Sequence, residues 1–170
     1  LGLSTASVAM ADSESYQINP AANALNRVVV FNAGVRELFS ITELTEQSAA
    51  FCAPVKNQNN LFASVQRLGN TSYSEWNISG GLARSLGRKM TAGIRLHYQQ
   101  WSYGDAHYMN EQTIYPSAGL LIRFYKNIVF GCRIENLKGL FGRSATENRI
   151  INSLISSGIS IQLSPDVVVG

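Results

Sequence analysis

The chain has 170 residues, 45% of them apolar and only 15% charged, with a net charge of +3. A typical soluble domain carries about 25% charge; here Ser, Thr, Asn and Gln fill the deficit, while the aromatic content argues against a disordered chain. No stretch approaches the ~18 consecutive apolar residues of a membrane-spanning helix, and the Lys and Arg are scattered along the sequence, so no basic stripe points to nucleic acid.

Residues 1–25 differ from the remainder of the chain. Leu3, Ala6, Ala9 and Met10 recur at helical spacing, and Asn19-Pro20-Ala21 forms a break. Asn tolerates unusual backbone conformations, and Pro fixes φ and has no N–H to donate. The three residues therefore predict a corner that ends the helical stretch and turns the chain into a first strand.

From residue 26 to residue 170 the period is two. Weaker alternation runs over 27–36, 46–55 and 61–68. Over 76–85, Trp76, Ile78 and Leu82 oppose Asn77, Ser79, Gly81 and Ser85. Residues 90–100 alternate without exception, with Met90, Ala92, Ile94, Leu96 and Tyr98 in one row and Thr91, Gly93, Arg95, His97 and Gln99 in the other. The pattern repeats over 112–124, 128–135 and 150–163, and a last strand begins at Val167. Such alternation predicts strands with one apolar and one polar face, about eight of them plus a stub. Several exceed ten residues, against a usual ~5–6 in soluble sheets and ~9–11 for a tilted strand crossing a bilayer.

The connections alternate as well. Short turns are expected at 56–60, 87–88, 126–127 and 164–166, and longer links at 38–42, 70–74, 104–111 and 136–146. Tight turns at one end and long loops at the other characterise outer-membrane barrels. Trp76, Trp101 and Tyr103 gather near the long-loop end and Tyr125 lies at a short turn, as two interfacial girdles would require. The fold expected is all-β, an antiparallel transmembrane β-barrel with a short N-terminal helical segment. A soluble up-and-down barrel or sandwich also alternates, but its water-facing rows carry Lys and Glu, whereas the polar rows here are Ser, Asn, Gln, Thr and Gly.

Those polar rows hold the candidate functional residues. Arg95, His97, Arg123, Arg133 and Glu135 share the polar parity on neighbouring strands. They form either a structural ladder that orders the barrel interior or a selectivity patch along a transport path. Gly93, Gly119, Gly131 and Gly158 share that parity and would leave room for an internal segment. No catalytic set emerges: there is no Gly-x-Ser-x-Gly and no phosphate loop, and His107, near Asp105, has no second histidine to make a metal site. No cofactor is implied. Cys52 and Cys132 lie in opposite parities and are expected as free thiols.

The opening Gly2-Leu3-Ser4-Thr5-Ala6-Ser7-Val8-Ala9-Met10-Ala11-Asp12, followed by Ile18-Asn19-Pro20-Ala21-Ala22, resembles the start of FadL-like outer-membrane proteins, most of all the PorV/PorQ branch of Bacteroidota. Gln66-Arg67-Leu68-Gly69-Asn70 and Leu86-Gly87-Arg88-Lys89 resemble that family more loosely. The resemblance implies a fourteen-stranded barrel in the outer membrane with residues 1–25 tucked inside as a hatch. It also implies strands beyond Gly170. On function, it implies a non-catalytic binding or shuttle component of the type IX secretion system or a similar complex, whose partners are outer-membrane lipids and other secretion proteins met through the extracellular loops. A FadL-like transporter of hydrophobic molecules and a soluble β-barrel binding module are the alternatives.

Overall fold

A computed structural model describes residues 8–9, 18–38, 41–56, 58–70, 72–104, 109–125, 127–137, 152–164 and 167–169. Most of the helical spacing read over residues 3–10, His107 and much of the two longest links lie outside them. Among the described residues, strands β1 (Val30–Leu38), β2 (Ile41–Val55), β3 (Asn59–Gly69), β4 (Tyr73–Ser85), β5 (Met90–Tyr103), β6 (Glu111–Tyr125), β7 (Ile128–Glu135), β8 (Leu154–Ser164) and β9 (Val167–Val169) form one sheet in sequence order. Every neighbouring pair is antiparallel. The protein is therefore all-β. The sheet does not close: β1 and β9 are its edges and do not pair with each other.

The strands are long because the alternation is long. β2 and β6 each run for 15 residues, β5 for 14 and β4 for 13. The β4–β5 ladder holds one register from Tyr73↔Tyr103 to Ser85↔Thr91. A one-residue slip would exchange its polar and apolar faces, so such strict alternation specifies the register strongly. Near the end of β6 the register shifts between Arg123 and Tyr125. That irregularity breaks the parity, and Phe124 and Tyr125 are both exposed.

The two faces are inverted relative to a water-soluble sheet. Along β5 the polar row is covered: Thr91, Arg95 and His97 are each 6–7% exposed, whereas Ile94 and Leu96 are 62% and 55% exposed. The apolar side is bare across the sheet, where Phe31, Val35, Leu61, Ile78, Leu82, Ile114, Ile155 and Ile159 all stand on the outer side. Ordinary soluble proteins expose single apolar residues freely, but a contiguous apolar face marks an interaction surface.

A 3-10 segment, Pro20–Leu25, covers the polar face and packs on β3 through β6. Pro20 occupies its first turn, where the missing N–H costs nothing. Asn19 caps it, with the Ala21 N–H donating to Asn19 Oδ1 at 3.0 Å. What apolar core there is lies between this segment and the sheet. Ala21 and Ala22 meet Ala50 and Leu121, and Ala24 meets Cys52, Phe62 and Ala83.

Candidate functional site

The polar face and the segment seated on it form the candidate site. Three glycines make the seat. A Cβ on Gly93 would lie 2.5 Å from the Pro20 carbonyl carbon and oxygen. One on Gly119 would collide with the Asn19 side chain, and one on Gly131 with the backbone at Val8 and Ala9. Gly93 and Gly119 are direct cross-strand partners on β5 and β6, and Gly131 sits on β7, so the three define a shallow track across the sheet. The sequence expectation that small inward residues leave room for an internal segment corresponds to these contacts.

Asn19 is the anchor of the seat and is fully buried. Its Nδ2 donates to the Val8 carbonyl at 2.7 Å and to the Cys132 carbonyl of β7 at 3.4 Å. A second anchor, which the sequence does not single out, is the pair Asn23 and Asn60. Asn60 Nδ2 on β3 donates to the Asn23 carbonyl at 2.5 Å and to the Asn26 carbonyl at 2.7 Å, while Asn23 Nδ2 donates back to the Pro20 carbonyl at 3.1 Å. Both are buried, so each bond satisfies backbone that water cannot reach. Parity could have found Asn60, which falls in the buried row of β3 with Phe62.

The polar-row residues fall into two groups. Arg133 on β7 donates through Nη1 to the Ile18 carbonyl at 2.9 Å and pairs with Glu135 at 3.1 Å, tying the wall to the N-terminal segment. On β5 and β6, His97 stacks on its cross-strand partner Tyr115 with ring centroids 4.6 Å apart and planes 8° from parallel. His97 Nε2 lies 3.1 Å from Ser117 Oγ. Arg95 lies over the Phe62 ring at 5.0 Å, a buried cation–π contact. Arg123 belongs to neither group. It is exposed, at the short-turn end of β6.

The aromatic positions divide too. Trp76 faces outward at 37% exposure, with Arg67 5.6 Å over its ring. Tyr125 is exposed at the opposite end. Trp101, expected in an outer girdle, is instead buried on the polar face at 5% exposure, because it shares the odd parity of Arg95 and His97. Tyr103 shares that parity and packs against Tyr73, 5.6 Å away.

Both cysteines are free. Among the described residues no group of three His, Cys, Asp or Glu could hold a metal ion. The arrangement stacks, pairs and caps; it orders a segment against a wall. Comparison with protein-family models, curated proteins and solved structures finds no match for this chain.

Proposed function

We propose that the chain is part of an integral outer-membrane β-barrel protein, with its N-terminus at the periplasmic side and residues 1–25 acting as an internal hatch. It would serve as a non-catalytic binding or shuttle component of the type IX secretion system or a similar outer-membrane complex. The observation that carries the membrane reading is the inversion of the sheet: its apolar rows are bare, while the polar rows of its middle strands are covered. In water that arrangement leaves a broad apolar surface hydrated; in a bilayer the same surface is solvated by lipid tails, and the polar groups turn inward as they do in outer-membrane barrels. A spanning sheet needs paired edges in lipid, so the reading requires that the edges β1 and β9 be paired in the membrane.

The secretion role rests on the resemblance of the Gly2–Asp12 stretch and the Asn19-Pro20-Ala21 corner to the PorV/PorQ branch. A polar interior occupied by the N-terminal segment favours a binding role over passage of hydrophobic molecules through the barrel. The test is affinity isolation of the detergent-extracted protein from cross-linked cells, paired with deletion of loop residues 138–146. Co-isolation of secretion-machinery subunits, with both co-isolation and cargo export lost on deletion, supports the role. Export that continues normally after deletion contradicts it.

A further inference from the structure

The cations that look scattered in sequence are brought together at the short-turn end of the sheet. A cavity of about 920 Å³ opens there, between the end of the 3-10 segment and the turns after β2 and β4. Arg27 lines it from the link between the 3-10 segment and β1, Arg88 and Lys89 from the β4–β5 turn, and Arg123 from β6. The backbone at two of the four is joined directly, since the Arg123 main-chain N–H donates to the Lys89 carbonyl at 2.7 Å. Among the described residues no carboxylate lines the cavity, and none of the four forms an ion pair. The ion pairs Arg36–Glu46 and Arg133–Glu135 lie elsewhere on the sheet.

Four like charges around one cavity repel one another, and a bound polyanion removes that cost. Three of the four are arginines, whose planar fork matches phosphate oxygens in pairs. Met90, Leu121 and Val129 supply an apolar wall beside them, and the volume lies in the ~300–1,000 Å³ range of small-molecule sites. We infer that this cavity binds an organic phosphate, its phosphates held by Arg27, Arg88, Lys89 and Arg123 and its apolar portion lying against Met90, Leu121 and Val129. Because Arg27 lies in the link between the 3-10 segment and β1 and the others belong to the wall, the ligand bridges the two and holds the end of the segment in place.

The phosphate can come from a soluble ester or from a lipid headgroup, and two arms separate these sources. The purified full chain is titrated with inorganic pyrophosphate by calorimetry, and it is floated with phosphatidylcholine vesicles that do or do not contain phosphatidic acid. The same measurements are made on Arg88→Gln/Lys89→Gln, on Arg123→Gln, and on Arg36→Gln as a charge-matched control. Saturable pyrophosphate binding, weakened at least tenfold in the cavity variants and unchanged in the control, supports the site with a soluble ligand. Binding confined to phosphatidic acid vesicles, with the same variant pattern, supports it with a lipid headgroup. Trypsin cleavage after Arg27 should slow when the effective ligand is added. Absence of saturable binding in both arms, or equal weakening in the Arg36→Gln control, overturns the inference. Circular dichroism checks that each variant keeps its strands.

Discussion

Replacing Leu96 with arginine separates a lipid-facing sheet from a water-facing one. Leu96 stands seventh of the 14 residues of β5, on the outer face, 55% exposed. Its cross-strand partners are Gly80 and Pro116, so a longer side chain meets little obstruction there. In water, a substitution at so exposed a position changes stability by about 0.5 kcal/mol or less. At the middle of a bilayer-spanning strand an arginine costs about 2–4 kcal/mol, which is roughly a 30- to 900-fold loss in the folding equilibrium constant. Ser74→Arg, also on the outer face but one residue from the start of β4, should cost only about 0–1 kcal/mol, as expected near the interface. Urea-dependent folding into phosphatidylcholine vesicles measures all three proteins. A Leu96→Arg variant within about 0.5 kcal/mol of the parent, or no worse than Ser74→Arg, would refute the membrane reasoning.

Other residues give independent checks. Asn19→Ala removes the cap on Ala21 and two bonds to buried carbonyls, and should destabilise the fold by about 1–3 kcal/mol in urea melts; a smaller loss would mean that the segment is not anchored there. Gly119→Val drives a side chain into the buried Asn19, at a cost of about 1–3 kcal/mol. It should speed tryptic cleavage after the exposed Arg27 while β-sheet circular dichroism is retained, and an unchanged cleavage rate would show that the segment does not depend on the glycine track. Arg36→Ala breaks an exposed pair with Glu46 and should cost no more than about 1 kcal/mol. In detergent solution a small thiol reagent should modify the half-buried Cys132 before Cys52, which is 2% exposed and points at the Asn23 carbonyl; peptide mass spectrometry reads the order.

Strand placement is the most legible part of the sequence, because a period of two sustained over ten residues leaves no competing structure. The stretch 90–100 lies within β5, and 128–135 coincides with β7. Parity also assigns Arg95 and His97 to one face and Ile94 and Leu96 to the other. Trp101 shows where a second criterion misleads: its nearness to a long link suggests an aromatic girdle, although its odd position puts it beside His97 and Gln99. Asn60 shares the buried parity of Phe62, but the bonds of Asn60 and Asn23 go to backbone carbonyls 37 and three residues away, and nothing local marks those partners. The cavity cations go unmarked in the sequence for the same reason. Arg27, Arg88, Lys89 and Arg123 stand far apart along the chain, apart from the one adjacent pair, and only the order of the strands gathers them at one end.

Whether the bare apolar face meets lipid is read by fractionating cells that express the protein. A lipid-facing sheet stays with outer membranes through alkaline carbonate and urea washes, is released only by detergent, and migrates differently on gels before and after boiling. A protein released into buffer without detergent, with the same mobility boiled or unboiled, would contradict the lipid-facing reading.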